Sequence, residues 1–142
     1  KDISRPELSG IYASFKQGSG VLVATDGHRL VESKIKSATP SKPISCILPG
    51  KTAAEVSRIF SKKEGVVKMQ VGQGQIFFDM PREDGISVKL TSKLIDGAYP
   101  DYTQIIPPEF EVRVSMSRKD LITAIKGVSL FSNIVNNVLM CS

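Results

Sequence analysis

Histidine occurs once and cysteine twice in this 142-residue chain, and that scarcity removes several kinds of chemistry. Cys46 and Cys141 lack the close spacing of a metal-binding set, and His28 is too isolated to complete one. Two such cysteines fit a reduced, intracellular setting, and a disulfide between them is not expected. Cys46 alternates with Ile44 and Leu48, which gives it the pattern of a small buried apolar residue. No G-x-S-x-G, H-E-x-x-H or P-loop pattern is present. Asp26 stands near His28, but an Asp-Gly pair is explained by turn geometry alone. Hydrolysis would further require a nucleophile and an orienting partner within hydrogen-bond reach. Asp79, Glu83 and Asp84 read as solvated turn carboxylates. The expectation is no catalytic residue, no metal and no cofactor. No apolar run approaches the roughly 20 residues of a membrane span, and there is no signal-peptide pattern. Lys1-Asp2 without methionine fits a piece excised from something longer.

What is present is enough to fold. Hydrophobic residues make up 41% of the chain, and mean hydropathy is −0.02. A packed core is therefore expected, and global disorder is not. The length suits one domain, or one plus a fragment of another. Net charge is +5, with an isoelectric point near 9.3. That balance favours polyanionic partners such as nucleic acid. A merely solvated basic surface has the same count, so charge alone does not separate the two.

Periodicity places the elements. Ile11, Ala13 and Phe15 alternate with Tyr12, Ser14 and Lys16, a half-buried strand that runs into a turn at residues 17–20. Val21 to Thr25 and Leu30 to Ile35 flank Asp26-Gly27, a hairpin signal in which both central turn residues take positive φ. Ile44, Cys46 and Leu48 alternate again after a polar connection. Residues 51–62 switch to helical spacing, with Val56, Ile59 and Phe60 on one stripe. Three period-two runs follow: Val67, Met69 and Val71; Ile76, Phe78 and Met80; Ile86, Val88 and Leu90. Short turns between them predict antiparallel pairing.

Ile106-Pro107-Pro108-Glu109 breaks the pattern, and then the chain begins again. Val112, Val114 and Met116 alternate as a strand. Ser117 and Asp120 form a capping box before a helix whose stripe is Leu121, Ala124, Ile125 and Val128. Residues 133–142 read as the start of another strand. An offset of 68 residues superimposes the two strand–helix units. Lys51 falls on Lys119 and Arg58 on Lys126, and seven residues is nearly two helical turns. Each basic pair therefore shares a helix face. On a lone helix such charges read as a solvated face; their recurrence argues for a shared task only together with the resemblance that follows.

Two runs carry a resemblance. One is Ala24-Thr25-Asp26-Gly27-His28-Arg29-Leu30. The other is Thr91-Ser92-Lys93-Leu94-Ile95-Asp96-Gly97-Ala98-Tyr99-Pro100-Asp101-Tyr102. In this order and spacing they resemble the bacterial DNA polymerase III beta subunit, the sliding-clamp family, where both belong to the middle of three similar domains. The resemblance covers roughly residues 5–132.

It implies an α+β, DNA-clamp-like fold of repeated strand–helix–strands units, with antiparallel sheets and helices on one face. Residues 1–105 would be a middle domain lacking its first strand and helix, 106–110 a linker, and 111–142 the truncated opening strand and helix of the third domain. The implied function is a processivity factor: a homodimeric ring around duplex DNA that tethers the replicative polymerase in the bacterial cytoplasm. Such a subunit is a non-catalytic accessory of the holoenzyme. Helix faces bearing Lys51, Arg58, Lys62, Lys119 and Lys126 would meet DNA phosphates without reading sequence. A hydrophobic groove would take short peptides from polymerase, clamp loader and repair proteins. Its positions here are Leu8, Thr25, Gly27, His28, Arg29, Leu30, Pro100, Gln104 and Ile105, with Gln104 where an arginine is common. The residues alone leave two alternatives open: a basic α+β module that binds nucleic acid directly, and a small hydrolase built on His28.

Overall fold

The computed structural model describes residues 5–37, 40–61, 65–81 and 85–130. The chain divides into two compact units, residues 1–101 and 102–142. In the first, a 3-10 turn at Pro6–Ser9 leads into β1 (Gly10–Lys16), β2 (Ser19–Thr25), β3 (Leu30–Lys36) and β4 (Ile44–Pro49). These form one antiparallel sheet in the order β3-β2-β1-β4. Helix α1 (Gly50–Phe60) follows, then β5 (Lys68–Val71), β6 (Gln75–Pro81) and β7 (Ser87–Lys93), a second antiparallel sheet with β6 central. The second unit has a 3-10 turn at Tyr102–Ile105 and helix α2 (Arg118–Ser129). Among the described residues, no helix is long and apolar enough to cross a membrane.

The alternating pattern positions the cores. On one face of the first sheet Phe15 lies across Gly20, where an added Cβ would come within 2.6 Å of the ring. Ala13 and Phe15 are buried there, as the alternation requires. The opposite face is covered too. Val23 is fully buried and Ile47 nearly so, and Tyr99 stacks on Tyr12 at 5.1 Å between ring centroids. Ile47, not Cys46, is therefore the most buried residue of β4; Cys46 is only half-buried. Each fully buried aliphatic side chain contributes about 1.5–3 kcal/mol.

In the second sheet Ile76, Phe78 and Met80 are buried, flanked by half-buried Met69, Val71, Val88 and Leu90. Val67 and Ile86 are corrections: both precede their strands and are exposed, because the ladder begins one residue later. Helix α1 reaches this buried face through Phe60, 6.5 Å from Phe78, and through a 2.7 Å hydrogen bond between the Thr52 and Ser92 hydroxyls. It also packs on β1 and β4.

Two turns exchange the expected geometry. Asp26-Gly27 is not a two-residue primed turn: Thr25 pairs with Leu30, so four residues form the loop, and only Gly27 among them takes positive φ. The primed condition is met instead at Gln17-Gly18, with φ of 42° and 79° between paired Lys16 and Ser19.

The second unit departs further. Val112, Val114 and Met116 form no strand with any described residue and are exposed. A strand exists only through its neighbour's hydrogen bonds, whereas α2 closes its own bonds locally and forms at the position the 68-residue offset requires. Ser117 is the N-cap of α2, but its side chain makes no capping bond, so the expected box is not closed. The α2 stripe of Leu121, Ala124, Ile125 and Val128 is exposed. Residues 133–142, Glu83, Asp84 and Cys141 lie outside the described residues.

Candidate functional site

The β2–β3 hairpin is held by its own side chains. Thr25, the last residue of β2, donates its hydroxyl to the Arg29 carbonyl at 2.8 Å and accepts from the Gly27 N–H at 3.1 Å. Asp26 Oδ1 accepts the His28 and Arg29 N–H groups at 3.1 and 2.8 Å. Asp26 Oδ2 accepts from both Arg29 Nε and Nη2, at 3.0 and 2.8 Å, two charge-assisted bonds to one oxygen. The Arg29 guanidinium, with the two backbone N–H groups, holds the Asp26 carboxyl well below the usual carboxylate range. Gly27, His28 and Arg29 remain exposed, and nothing lies within 4 Å of where a Gly27 Cβ would stand. Asp26 is thus committed to Arg29 and the backbone, which leaves it no role orienting the His28 ring.

Leu30 opposes Thr25 across the ladder and is half-buried. Leu8 is half-buried in the 3-10 turn that packs on β1 and β2. Thr25 and Leu30 lie on the same sheet face as Tyr12, to which Tyr99 brings its chain neighbour Pro100, itself exposed. The Tyr99 hydroxyl is buried near the Thr25 backbone without a hydrogen bond of ordinary geometry. Burial pushes its phenol up. Gln104 and Ile105 belong to the second unit, exposed on its 3-10 turn.

The basic residues sit on solvent-facing helix positions. Lys51, Glu55 and Arg58 are exposed on α1, while Thr52, Val56, Ile59 and Phe60 are half-buried. Arg58 is engaged with Glu55, Nε and Nη2 to Oε2 at 2.9 and 2.8 Å. On α2, Lys119 and Lys126 are exposed, and the position matching Glu55 is Thr123, whose hydroxyl donates to the Lys119 carbonyl. The α2 face therefore keeps its positive charge, whereas α1 neutralises part of its own. Lys62 lies outside the described residues.

Sequence reasoning missed Asp26 and Glu55 as positioning groups. Both had a signal: an acid three residues before an arginine, in a turn and on a helix. It also missed Tyr12 and Tyr99, which clasp residues 94–100 to the sheet. A separate open cavity of about 490 Å³, lined by Cys46, Ile47, Asp96 and Tyr99 among others, includes none of the hairpin residues. Burial pushes the Cys46 thiol up, away from the reactive thiolate.

Two antiparallel sheets joined through β4 and α1, with a second helix whose cations repeat those of α1 at a 68-residue offset, define a DNA-clamp type of α+β domain. Residues 1–101 match the family described as DNA polymerase III beta subunit, central domain. The chain belongs to this beta sliding clamp family. It is 30% identical over 140 residues to the beta sliding clamp of Staphylococcus aureus (strain Mu50 / ATCC 700699), covering 98% of this chain and 36% of that protein. Among solved structures, the Bacillus subtilis DNA polymerase sliding clamp matches with a TM-score of 0.80 at 28% identity, covering 94% of this chain and 34% of that one. The Helicobacter pylori beta clamp bound to a DNA ligase peptide matches with a TM-score of 0.69 at 26% identity, covering 87% and 34%. The chain spans about a third of the length of these relatives.

Proposed function

We propose that this chain is part of a replication processivity clamp. In the intact protein, a homodimeric ring would encircle duplex DNA and tether the replicative polymerase, without catalysing a reaction itself. Residues 1–105 serve as its middle domain, 106–110 as linker and 111–142 as the opening strand and helix of its third domain. The observation that carries this reading is the pair of exposed cationic helix faces, Lys51 and Arg58 on α1 and Lys119 and Lys126 on α2, at matching positions of one repeated unit. Such faces meet phosphates without reading bases. Phosphate contact alone gives a Kd on the order of 10⁻⁴ to 10⁻⁶ M and weakens with salt. That grip is too weak to retain a polymerase, and a closed ring makes retention topological.

The second surface is the hairpin. Thr25, Gly27, His28, Arg29 and Leu30, with Leu8 and Pro100, form a wall for partner peptides; Gln104 and Ile105, in the second unit, are separate candidates for contact with the same ligands. Peptides from the polymerase, clamp loader and repair proteins are its ligands. The ligase peptide carried by the H. pylori relative supports this class of ligand. Apolar residues supply affinity there, and a few fixed polar groups supply orientation.

NMR titration with two duplexes of unrelated sequence tests the DNA surface. Resonances of Lys51, Lys119 and Lys126 should move equally for both, and the shifts should fade as salt rises. Shifts confined to other elements, or present for one sequence only, would overturn it.

A further inference from the structure

The face of the β5–β6–β7 sheet turned away from α1 has an unusual composition. Alternation places Lys68 and Gln70 of β5, Gln75, Phe77 and Asp79 of β6, and Lys89, Thr91 and Lys93 of β7 on this side. All are exposed except Asp79, which is half-buried. Phe77 stands on the central strand with 42% of its surface open, although Phe78 beside it fills the core. Its direct cross-strand neighbours are Gln70 and Thr91, both polar. Lys68 and Lys89 oppose Asp79, and Lys93 opposes Gln75. The three lysines therefore occupy diagonal positions around the ring, about 7–8 Å away across the ladder.

The pairing of Phe77 with Thr91 is worth at most about 1 kcal/mol, which leaves the open part of the ring without a structural use, and three lysines around it disfavour an apolar protein partner. Cations encircling a flat aromatic platform suit a ligand with both phosphates and free base faces. Single-stranded nucleic acid has both. A duplex has its bases stacked away, and an acidic peptide would use the lysines and leave the ring idle.

We propose that this sheet face docks single-stranded nucleic acid, with one base stacked on Phe77 and the neighbouring phosphates held by Lys68, Lys89 and Lys93. The site lies on the opposite face of the sheet from α1 and uses none of the hairpin residues, and it stands whether or not their assignments do. Asp79 sits between two of the lysines and keeps the attraction moderate, so binding is weak and steeply salt-dependent.

Titrating the full chain with a ten-residue oligothymidine tests this. Phe77, Gln70 and Thr91 resonances should shift, and three phosphate contacts predict a slope of log K against log salt of about −2. Phe77→Ala should weaken binding about tenfold or more, and Phe77→Trp should restore it. The triple variant Lys68→Glu, Lys89→Glu, Lys93→Glu should abolish it. Phe77→Ala binding as tightly as the unaltered chain would overturn the proposal. So would an equal response of these residues to a blunt duplex or to an acidic peptide, or oligothymidine shifts confined to α1 and α2.

Discussion

Asp26 uses both carboxylate oxygens inside its own loop, and the shape of the hairpin tip follows from that. Oδ1 caps two backbone N–H groups and Oδ2 clamps a guanidinium. An amide at this position retains the caps but loses the charge, and a methyl loses both. Amide exchange at His28 and Arg29 should therefore be faster in Asp26→Ala than in Asp26→Asn, and slowest in the unaltered chain. The pH dependence has a definite sign. The folded carboxyl is held below its unfolded value, so its contribution is fully present above roughly pH 4. It is lost only as pH falls beneath that. The Asp26 side-chain carboxyl carbon shift should stay constant from pH 7 to about pH 4, with no midpoint in that interval, as an NMR pH series would record. Gly20 offers a packing test. An added methyl at Gly20→Ala meets Phe15 and Ile35 within 3 Å, so denaturant unfolding should report a loss of about 1–3 kcal/mol.

At the scale of elements, the strands of the first unit were legible from period-two alternation, although in β4 the most buried residue is Ile47, on the side that the alternation of Ile44, Cys46 and Leu48 does not mark. Helix α1 was legible from its stripe, and α2 from the 68-residue repeat. Less legible were the features decided by partners far away in sequence. The second covered face of the first sheet depends on Tyr99 reaching Tyr12, and nothing local announces that. The Asp-Gly turn was misassigned because backbone preference was considered without the Asx side chain. Residues 112–116 have strand composition, but no described strand pairs with them. The helices also differ in a way alignment of the lysines concealed: Glu55 pairs with Arg58, while Thr123 leaves α2 unopposed. Glu55→Gln should free Arg58 and strengthen duplex binding severalfold at low salt. Stability should change by less than about 1 kcal/mol, since exposed ion pairs contribute little. Anisotropy and thermal melting measure the two effects.

Across the whole molecule, the reading assigns separate tasks to separate surfaces. The net charge of +5 supplies attraction to polyanions in general, but its placement decides what each surface meets. In that reading the cations of α1 and α2 would face phosphates, and the hairpin presents a charge-balanced ion pair of Asp26 with Arg29 together with half-buried Leu30. Family membership was legible from the two runs at residues 24–30 and 91–102, whereas the ion pairs that shape each surface were visible only in three dimensions. A scaffold of this kind must hold DNA and a partner at once, so one NMR sample titrated first with ligase peptide and then with duplex tests it most directly. The account predicts peptide shifts at His28, Leu30 and Pro100 that persist unchanged while duplex moves Lys51, Lys119 and Lys126. Displacement of the peptide by duplex, or a saturating peptide that leaves His28, Leu30 and Pro100 unmoved, would contradict it.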